Sequence, residues 1–438
     1  MIFGIKNLGP IKEANIEMGD LTIICGKNNC GKTYISYSIY DFYKFFRDYI
    51  SFEKIKVKPD ETETVRIKLD DYVDSAKTAL KKAVEQFSLE HLNNKDAFSV
   101  EDVSFDTNSP VSANWKMRGV SFSVHKDKRV ISIQKKAKAD LSNNKTKEPS
   151  ALDFANAFIA TYFFGGRMQQ KSFGSCFAIT TERTGLSIFR KTLNKGNLRQ
   201  VNSFDGVPIL QKEQSLINTV YPPAIQDNFE YIISLEDISK HKSEIADDKT
   251  IIALLESITM GRFEFLPNDV INFVPTGNSS VKLTMNKASS SVRSLLLIDA
   301  YIRYSAKIGD LLMIDEPELN LHPESQRLLA RLLAKLVNVG IKVFITTHSD
   351  YIIREFNTLI SLNQDKPYLT KIKKREGYSE DELLDASSIR TYIARFDEDS
   401  VLFDLTSVSQ EDGILVPTLD VVIDKMNQIQ DAIIWGAD

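Results

Sequence analysis

The sequence predicts an α/β fold in which a parallel sheet flanked by helices is joined to a smaller mixed β lobe. Three observations predict it. A short apolar, β-branched run at residues 21–25 leads into a glycine-rich loop and then into a helix-compatible segment at 34–46. Two further apolar runs, 311–314 and 341–346, have the length of buried strands and alternate with helix-compatible stretches at 289–305, at 323–337 and after His348. That alternation is the pattern of a parallel sheet covered by helices. At the N-terminal side, residues 2–5, 11–16 and 21–24 read as short strands separated by Gly9-Pro10 and Gly19-Asp20 turns.

The loop itself is Gly26-Lys27-Asn28-Asn29-Cys30-Gly31-Lys32-Thr33, with two glycines, a lysine and a threonine at the spacing of a phosphate-binding loop. Such a loop turns backbone N–H groups inward around a phosphate chain and delivers it to the positive end of a helix. Gly26, Asn28, Asn29 and Gly31 are therefore the candidate cradle, Lys32 the group that reaches the β- and γ-phosphates, and Thr33 a magnesium ligand. Strand, loop and helix stand in the order this chemistry requires, so a nucleotide with Mg²⁺ is the expected ligand.

Composition sets the bounds. The chain has 438 residues, 42% of them hydrophobic, and a formal charge of -4, the profile of an ordinary globular protein with room for two or three domains. No global basic excess marks it as a polyanion binder. Its three cysteines, Cys25, Cys30 and Cys176, provide neither a disulfide framework nor metal-ligand spacing, so a reducing, cytoplasmic location is expected. The N-terminus reads directly into a strand without the pattern of an export signal, and no apolar run approaches membrane-spanning length.

Between the loop and the later strands the character changes. Residues 61–91 are charged and helix-compatible, and short alternating runs at 120–124 and 130–133 follow, which reads as an insertion with its own helix and small sheet. Lys116, Arg118, Lys126, Lys128, Arg129, Lys135, Lys136, Lys138, Lys145 and Lys147 make this stretch locally basic, opposed only by Asp127, Asp140 and Glu148. Two readings fit: a surface for nucleic acid or a partner, and a solvated strand face beside a polar loop. Residues 151–164 read as a helix, 177–180 as a strand, Thr181-Glu182-Arg183-Thr184-Gly185 as a charged turn, and about 225–260 as further helix. The tail beyond 362 shows short strand patterns and a final helix at 419–435.

The remaining chemistry lies at strand ends. Asp310-Leu311-Leu312-Met313-Ile314-Asp315-Glu316-Pro317 delivers two adjacent carboxylates at the end of a buried strand. Asp315 is the candidate magnesium ligand, and Glu316 the base that orients and deprotonates the attacking water. Val343-Phe344-Ile345-Thr346-Thr347-His348-Ser349 ends a second strand in His348, whose imidazole suits sensing or polarising a γ-phosphate at neutral pH. Ala288-Ser289-Ser290-Ser291-Val292-Arg293 opens a helix with serine hydroxyls able to cap it or to hold an anion.

Taken in order, glycine loop, long insertion, serine-headed helix, Asp-Glu strand and strand ending in His, the set resembles ATP-binding-cassette (ABC) ATPases of the RecF, SMC and OLD type. Asn7-Leu8-Gly9-Pro10-Ile11, the loop, Asp315-Glu316-Pro317-Glu318-Leu319-Asn320-Leu321-His322-Pro323 and Thr346-Thr347-His348-Ser349 look like OLD-like AAA-type ATPases common in bacterial anti-phage defence loci, over residues 1–362. The resemblance implies an ABC-type ATPase head, with ATP as the nucleotide. Residues 1–45 would carry the N-terminal lobe and Walker A loop, 46–170 a helical and small-sheet arm, and 171–288 a second head and helical segment. Residues 289–362 would carry the signature, Walker B and His-switch half, and 363–438 a small C-terminal α/β segment. It also implies that Ser289 and Ser290 act on the nucleotide of a second copy, that Asn320 and His322 lie in a loop coupling the two sites, and that the Thr181-Glu182-Arg183 turn is an acid-Arg segment near the nucleotide domain.

Two departures from the family pattern bear on rate. Ser291 stands where the signature usually has glycine, which implies slow or ligand-gated turnover, and no glutamine loop can be placed. About 75 residues follow the last motif, too few for the TOPRIM nuclease domain of OLD proteins, and the acidic run Asp397-Glu398-Asp399 lacks a second acidic strand. The resemblance therefore implies an ATPase without its own nuclease, forming a homodimer or higher oligomer and controlling a separate nuclease or toxin, as in Septu- or PARIS-type systems. The alternative is a RecF-like repair or recombination ATPase that contacts DNA through the basic insertion.

Overall fold

A computed structural model describes residues 1–52, 54–55, 59–60, 63–103, 105, 112–117, 120–127, 129–138, 149–164, 174–189, 221–267, 270–397 and 400–436. The chain divides into two compact units, residues 1–6 with 42–175 and residues 7–41 with 176–438.

In the first unit, β1 (Ile2–Leu8) runs antiparallel to β5 (Phe98–Glu101). Phe3, Phe42, Phe46, Phe87 and Phe98 form an aromatic core there, with the Phe42 and Phe46 rings stacked at 4.8 Å. The helix α2 (Asp70–Leu92) buries Ala76, Leu80, Val84 and Phe87 along one stripe. A four-stranded antiparallel sheet has the order β4 (Thr64–Lys68), β8 (Val130–Lys138), β7 (Val120–Asp127), β6 (Ser112–Met117), and is followed by the helix α3 (Ala151–Phe164). Residues 64–68, expected as helix, are a strand because Val65 and Ile67 alternate inward with exposed Arg66 and Lys68 between them.

Three of the ten basic residues expected of this segment have local partners. Lys126 is buried with its ammonium 5.7 Å from the Tyr162 ring, Arg129 pairs with Asp70 at 3.1 Å, and Lys135 lies 4.0 Å from Glu63. Arg118, Lys128, Lys145, Lys147, Asp140 and Glu148, and the side chains of Lys116 and Lys138, lie outside the described residues.

The second unit carries the main sheet. Its order is β2 (Ile11–Glu17), β16 (Ser400–Thr406), β15 (Ile389–Asp397), β3 (Leu21–Gly26), β14 (Lys342–Thr347), β13 (Leu311–Asp315), β9 (Cys176–Ile179). From β15 to β9 all neighbours are parallel, and only the β15–β16 pair is antiparallel. β3, β13 and β14 are almost wholly buried, as their continuous apolar runs require. The fold is thus the expected mixed α/β arrangement with a parallel sheet. Its centre includes strands from the tail: β15 lies beside β3, so the strand that feeds the glycine loop is flanked by β14 on one side and β15 on the other.

The helices α6 (Ser290–Ala300), α7 (Pro323–Asn338) and α8 (Asp350–Leu362) pack with these strands in one core that includes Leu296, Ile298, Leu333, Leu336, Phe356 and Leu359. The helical stretch expected at 225–260 is broken into α4 (Pro223–Ile233), a single turn and α5 (Lys249–Thr259), because Asp248 starts a new helix by accepting from the N–H groups of Thr250 and Ile251. A three-stranded antiparallel sheet follows: β10 (Gly261–Leu266), β11 (Val270–Pro275) and β12 (Leu283–Thr284). The expected helix at 289–305 continues from α6 into one π-helical turn at Tyr301–Ser305. Past α9 (Pro367–Glu376), the chain ends in α10 (Pro417–Trp435), on which Met426, Ile429, Ile433, Ile434 and Trp435 are exposed. Among the described residues no helix is long and apolar enough to cross a membrane.

Candidate active site

The glycine loop joins the end of β3 to the start of α1 (Lys32–Phe45). Gly26 meets β15 so closely that a Cβ there would stand 2.8 Å from Ala394 Cβ and 2.9 Å from its carbonyl oxygen. Gly31 has φ +74°, and a Cβ on it would press on Pro10 and Ile11 at 3.2 Å. Asn29 also adopts a left-handed conformation, φ +64°, a region asparagine tolerates better than most residues. Lys32 lies folded over the loop, its ammonium donating to the carbonyls of Gly26 at 2.9 Å and Lys27 at 2.8 Å. A cleft of about 580 Å³ opens above it, lined by Pro10, the loop from Asn28 to Tyr34, Glu316 and His348.

Asp315 ends β13 in register with Thr346 on β14. One carboxylate oxygen accepts from the Thr346 hydroxyl and the other from Thr33 Oγ1 at 3.2 Å. Burial pushes its pKa up, opposed by the hydroxyls of Thr346 and Thr33 and by the charge of Arg183, while Glu316 adds to the rise. Glu316 follows at φ +48°, a strained conformation for a side chain of this size, and its N–H donates to the Thr346 carbonyl at 3.1 Å and hydroxyl at 3.2 Å. His348 Nδ1 lies 3.6 Å from Glu316 Oε1 and 3.3 Å from Glu318 Oε1. The facing imidazole of His348 is the main cause that holds the Glu316 carboxyl below its usual range, and the same contact raises the imidazole against the opposing effect of burial.

Glu318 was part of the sequence motif without an assigned task. Its Oε1 accepts from the Thr347 hydroxyl and the His348 N–H, both at 2.9 Å, so this buried carboxylate fixes the strand end that presents His348. Arg183, expected only as part of an acid-Arg segment near the nucleotide domain, is the other group whose task the sequence left open. It lies at the start of a helical segment after the Thr181–Glu182 turn and is 1% exposed. Its guanidinium donates to the carbonyls of Ser294 at 3.1 Å, Thr180 at 3.0 Å, Asp315 at 2.8 Å and Glu316 at 2.6 Å. Burial lowers its pKa to about 10, with nearby Asp315, Glu318 and Glu316 opposing the fall, so it stays cationic at neutral pH. The available signal was the arginine itself, set in a short turn directly after a buried strand.

Ser289 and Ser290, the serines expected to act on a second copy's nucleotide, stand apart from this cluster. Ser289 caps α6 by accepting from Val292 N–H at 3.3 Å and shares a 2.8 Å hydrogen bond with Ser291; Ser289 and Ser290 are exposed and do not line the cleft. Asn320 Nδ2 donates to Thr184 Oγ1 at 3.4 Å, and His322 caps α7 by accepting from the Glu324 N–H at 3.3 Å. Of the acidic run in the tail, Asp397 lies 3.8 Å from Arg395, while Glu398 and Asp399 are outside the described residues.

The donor set fits magnesium. Among the described residues no group of three or more His, Cys, Asp or Glu could hold a metal. Magnesium needs none, because it keeps several waters and uses one or two protein oxygens with the substrate's phosphates. Thr33 Oγ1 and Asp315 Oδ2, already in hydrogen-bond contact, are such a pair of hard oxygens at the foot of the loop.

The chain belongs to the family described as AAA ATPase domain (AAA_15), which it matches over residues 1–353. Among solved structures it is similar to the SMC head domain from Thermotoga maritima, at 10% identity and a TM-score of 0.32 over 93% of this chain and 98% of that one. The Smc head with an extended coiled coil bound to the C-terminal domain of ScpA, derived from Pyrococcus furiosus, gives 10% identity and a TM-score of 0.33 over 98% of each chain. A Smc head bound to the C-terminal winged-helix domain of ScpA gives 10% and 0.36, over 93% of this chain and 97% of that one. No curated protein matches the chain in sequence.

Proposed function

We propose that this protein hydrolyses ATP with magnesium in a site that a second copy completes, and that turnover controls a separate effector, a nuclease or toxin, in defence against phage. One observation carries the enzymatic part: Lys32 and Thr33 from the loop, Glu316 from one strand end and His348 from the next line a single cleft, with Asp315 bonded to Thr33 behind it. The defence role rests on the resemblance of the Asp315 to Pro323 motif and its companions to OLD-like ATPases.

Bound Mg-ATP supplies the phosphate chain and the electrophilic γ-phosphorus. The loop N–H groups from Gly26 to Gly31 hold the phosphates, and Lys32 exchanges its two carbonyl partners for phosphate oxygens. Thr33 and Asp315 would hold the magnesium ion. Glu316, ionised at neutral pH and held by His348, orients the attacking water and takes its proton. His348, fixed on its Nδ1 side by two carboxylates, keeps Nε2 for the γ-phosphate. Ser289 and Ser290, exposed at a helix N-terminus, serve the nucleotide of the partner copy.

Two substitutions test the site. Lys32→Ala removes nucleotide binding, whereas Glu316→Gln keeps it and lowers turnover by about 100-fold or more. Titration calorimetry and phosphate release read these directly; full turnover in Glu316→Gln would remove the base assignment. The effector part is tested by identifying the neighbouring gene and assaying its product with and without this chain and ATP. DNA cleavage by this chain alone would overturn it.

A further inference from the structure

Arg183 spends its hydrogen bonds in an unusual way. A buried guanidinium ordinarily faces a carboxylate, in fork geometry. This one makes its four hydrogen bonds to main-chain carbonyls, and they belong to three elements: Thr180 at the end of β9, Asp315 and Glu316 at the end of β13, and Ser294 in the first turn and a half of α6. α6 is the helix that Ser289 caps. A rigid planar group therefore spans from the serine-headed helix to the turn that carries the magnesium ligand and the catalytic carboxylate.

We propose that Arg183 is a positioning residue that couples the two halves of the composite site: the seating of the serine-headed α6 on a partner's nucleotide is transmitted through one guanidinium to Glu316 of the same chain. This rests on the reading of Glu316 as the base and of Ser289 and Ser290 as groups acting on a second copy.

Three features support it beyond the contacts themselves. Glu316 is held at φ +48°, a conformation that persists only where surroundings impose it, and the shortest of the four bonds, 2.6 Å, goes to its carbonyl. The Asp315 and Glu316 carbonyls are bonded by two different nitrogens of one plane, so tilting the guanidinium moves both. Ser294 is also tied to the head of α6, its hydroxyl donating to the Ser291 carbonyl at 2.8 Å, so displacement of the serines reaches the carbonyl that Arg183 grips. Ordinary motion at such a packed junction takes discrete positions and is passed on between elements.

The test is a double-substitution cycle on the full chain. Arg183→Lys keeps a buried cation but not the planar span; Arg183→Met removes both and serves as the packing control. For each, ATP affinity, kcat, KM and melting temperature are measured, alone and combined with Ser290→Ala. Expected for Arg183→Lys is an ATP Kd within about twofold of the parent, with kcat lower by roughly 10- to 100-fold, the size of a misplaced catalytic group. Ser290→Ala lowers kcat in the parent and adds no further loss in Arg183→Lys. Multiplicative losses in the double variant would overturn the coupling and leave the site reading intact. Parallel loss of ATP affinity and melting temperature in Arg183→Lys would reduce Arg183 to a structural part. Unchanged turnover in Ser290→Ala alone would remove the in-trans reading and the coupling with it.

Discussion

Glu316 and His348 face each other at 3.6 Å, and each shifts the other toward its charged form. The imidazole pKa is raised, so its contribution to stability is complete below the ordinary histidine value and is lost as pH rises through the higher folded value. The Glu316 pKa is lowered, so its contribution is complete above the ordinary carboxyl value and is lost as pH falls through the lower folded one. The pair is thus fully formed between about pH 4.5 and 6.5, and above that window the histidine side weakens first. Because His348 is 48% exposed, the stabilisation is screened to below about 1 kcal/mol. With five histidines in the chain, ring-labelled protein resolves the titration by NMR: His348 titrates above an ordinary histidine, and in Glu316→Gln its midpoint moves down. An unmoved midpoint would mean that Glu318 alone holds the ring. These groups were legible in the sequence because each sits at a covalently fixed place in its own motif. The tasks of Arg183 and Glu318 were not, since three of the arginine's four partners lie 111 to 133 residues away and the carboxylate's lie 29 to 30 away, and the folded sheet brings them together.

At the scale of elements, the α7 helix shows how charge is used to fasten a segment. Lys335, 3% exposed, reaches Asp381 at 2.6 Å and Glu382 at 3.6 Å, and Arg331 meets Glu382 at 2.8 Å, which ties the helix to the short turn at Glu380–Glu382. Deleting one partner of a buried pair ordinarily costs about 3–5 kcal/mol. Here Arg331 still balances Glu382, so Lys335→Ala is expected to cost about 2 kcal/mol in urea unfolding, with ATP affinity unchanged. A fall in affinity would show that α7 is part of the site and not only of its scaffold. Element reading from the sequence succeeded where periodicity was long and unbroken, as for α3, α7 and the strands β13 and β14. It failed where a local pattern was short. β4 was hidden at the front of a helix, and β10 to β12 gave no strand reading, though Gly261 lies against β11 so closely that a Cβ would meet the Val274 carbonyl at 2.4 Å. The placement of β15 beside β3 is a non-local pairing of strands from opposite ends of the sequence, and no window of sequence contains it.

At the scale of the whole molecule, the site as one chain holds it is one-sided. Lys32, Thr33, Glu316 and His348 line the cleft, with Asp315 behind Thr33, while Ser289 and Ser290 are exposed and line no part of it. On the proposed reading a two-fold pair of chains would solve this by symmetry, each copy offering its serine helix to the other's cleft so that two equal sites result. Such an arrangement has a consequence that a self-contained site lacks. Below the dimer dissociation constant, turnover per chain rises with chain concentration, and above it the value is constant. Lys32→Ala loses its own loop but keeps its serines; Ser290→Arg keeps its loop but blocks its helix start. Each variant alone should be inactive. Mixed in equal amounts, half of the dimers are mixed and each contains one intact pairing out of two, so turnover is expected to return to at most about a quarter of the parent rate. Phosphate release across a mixing series reads this out. Full activity of Ser290→Arg alone would show that the loop, the acidic strand end and His348 suffice in a single chain.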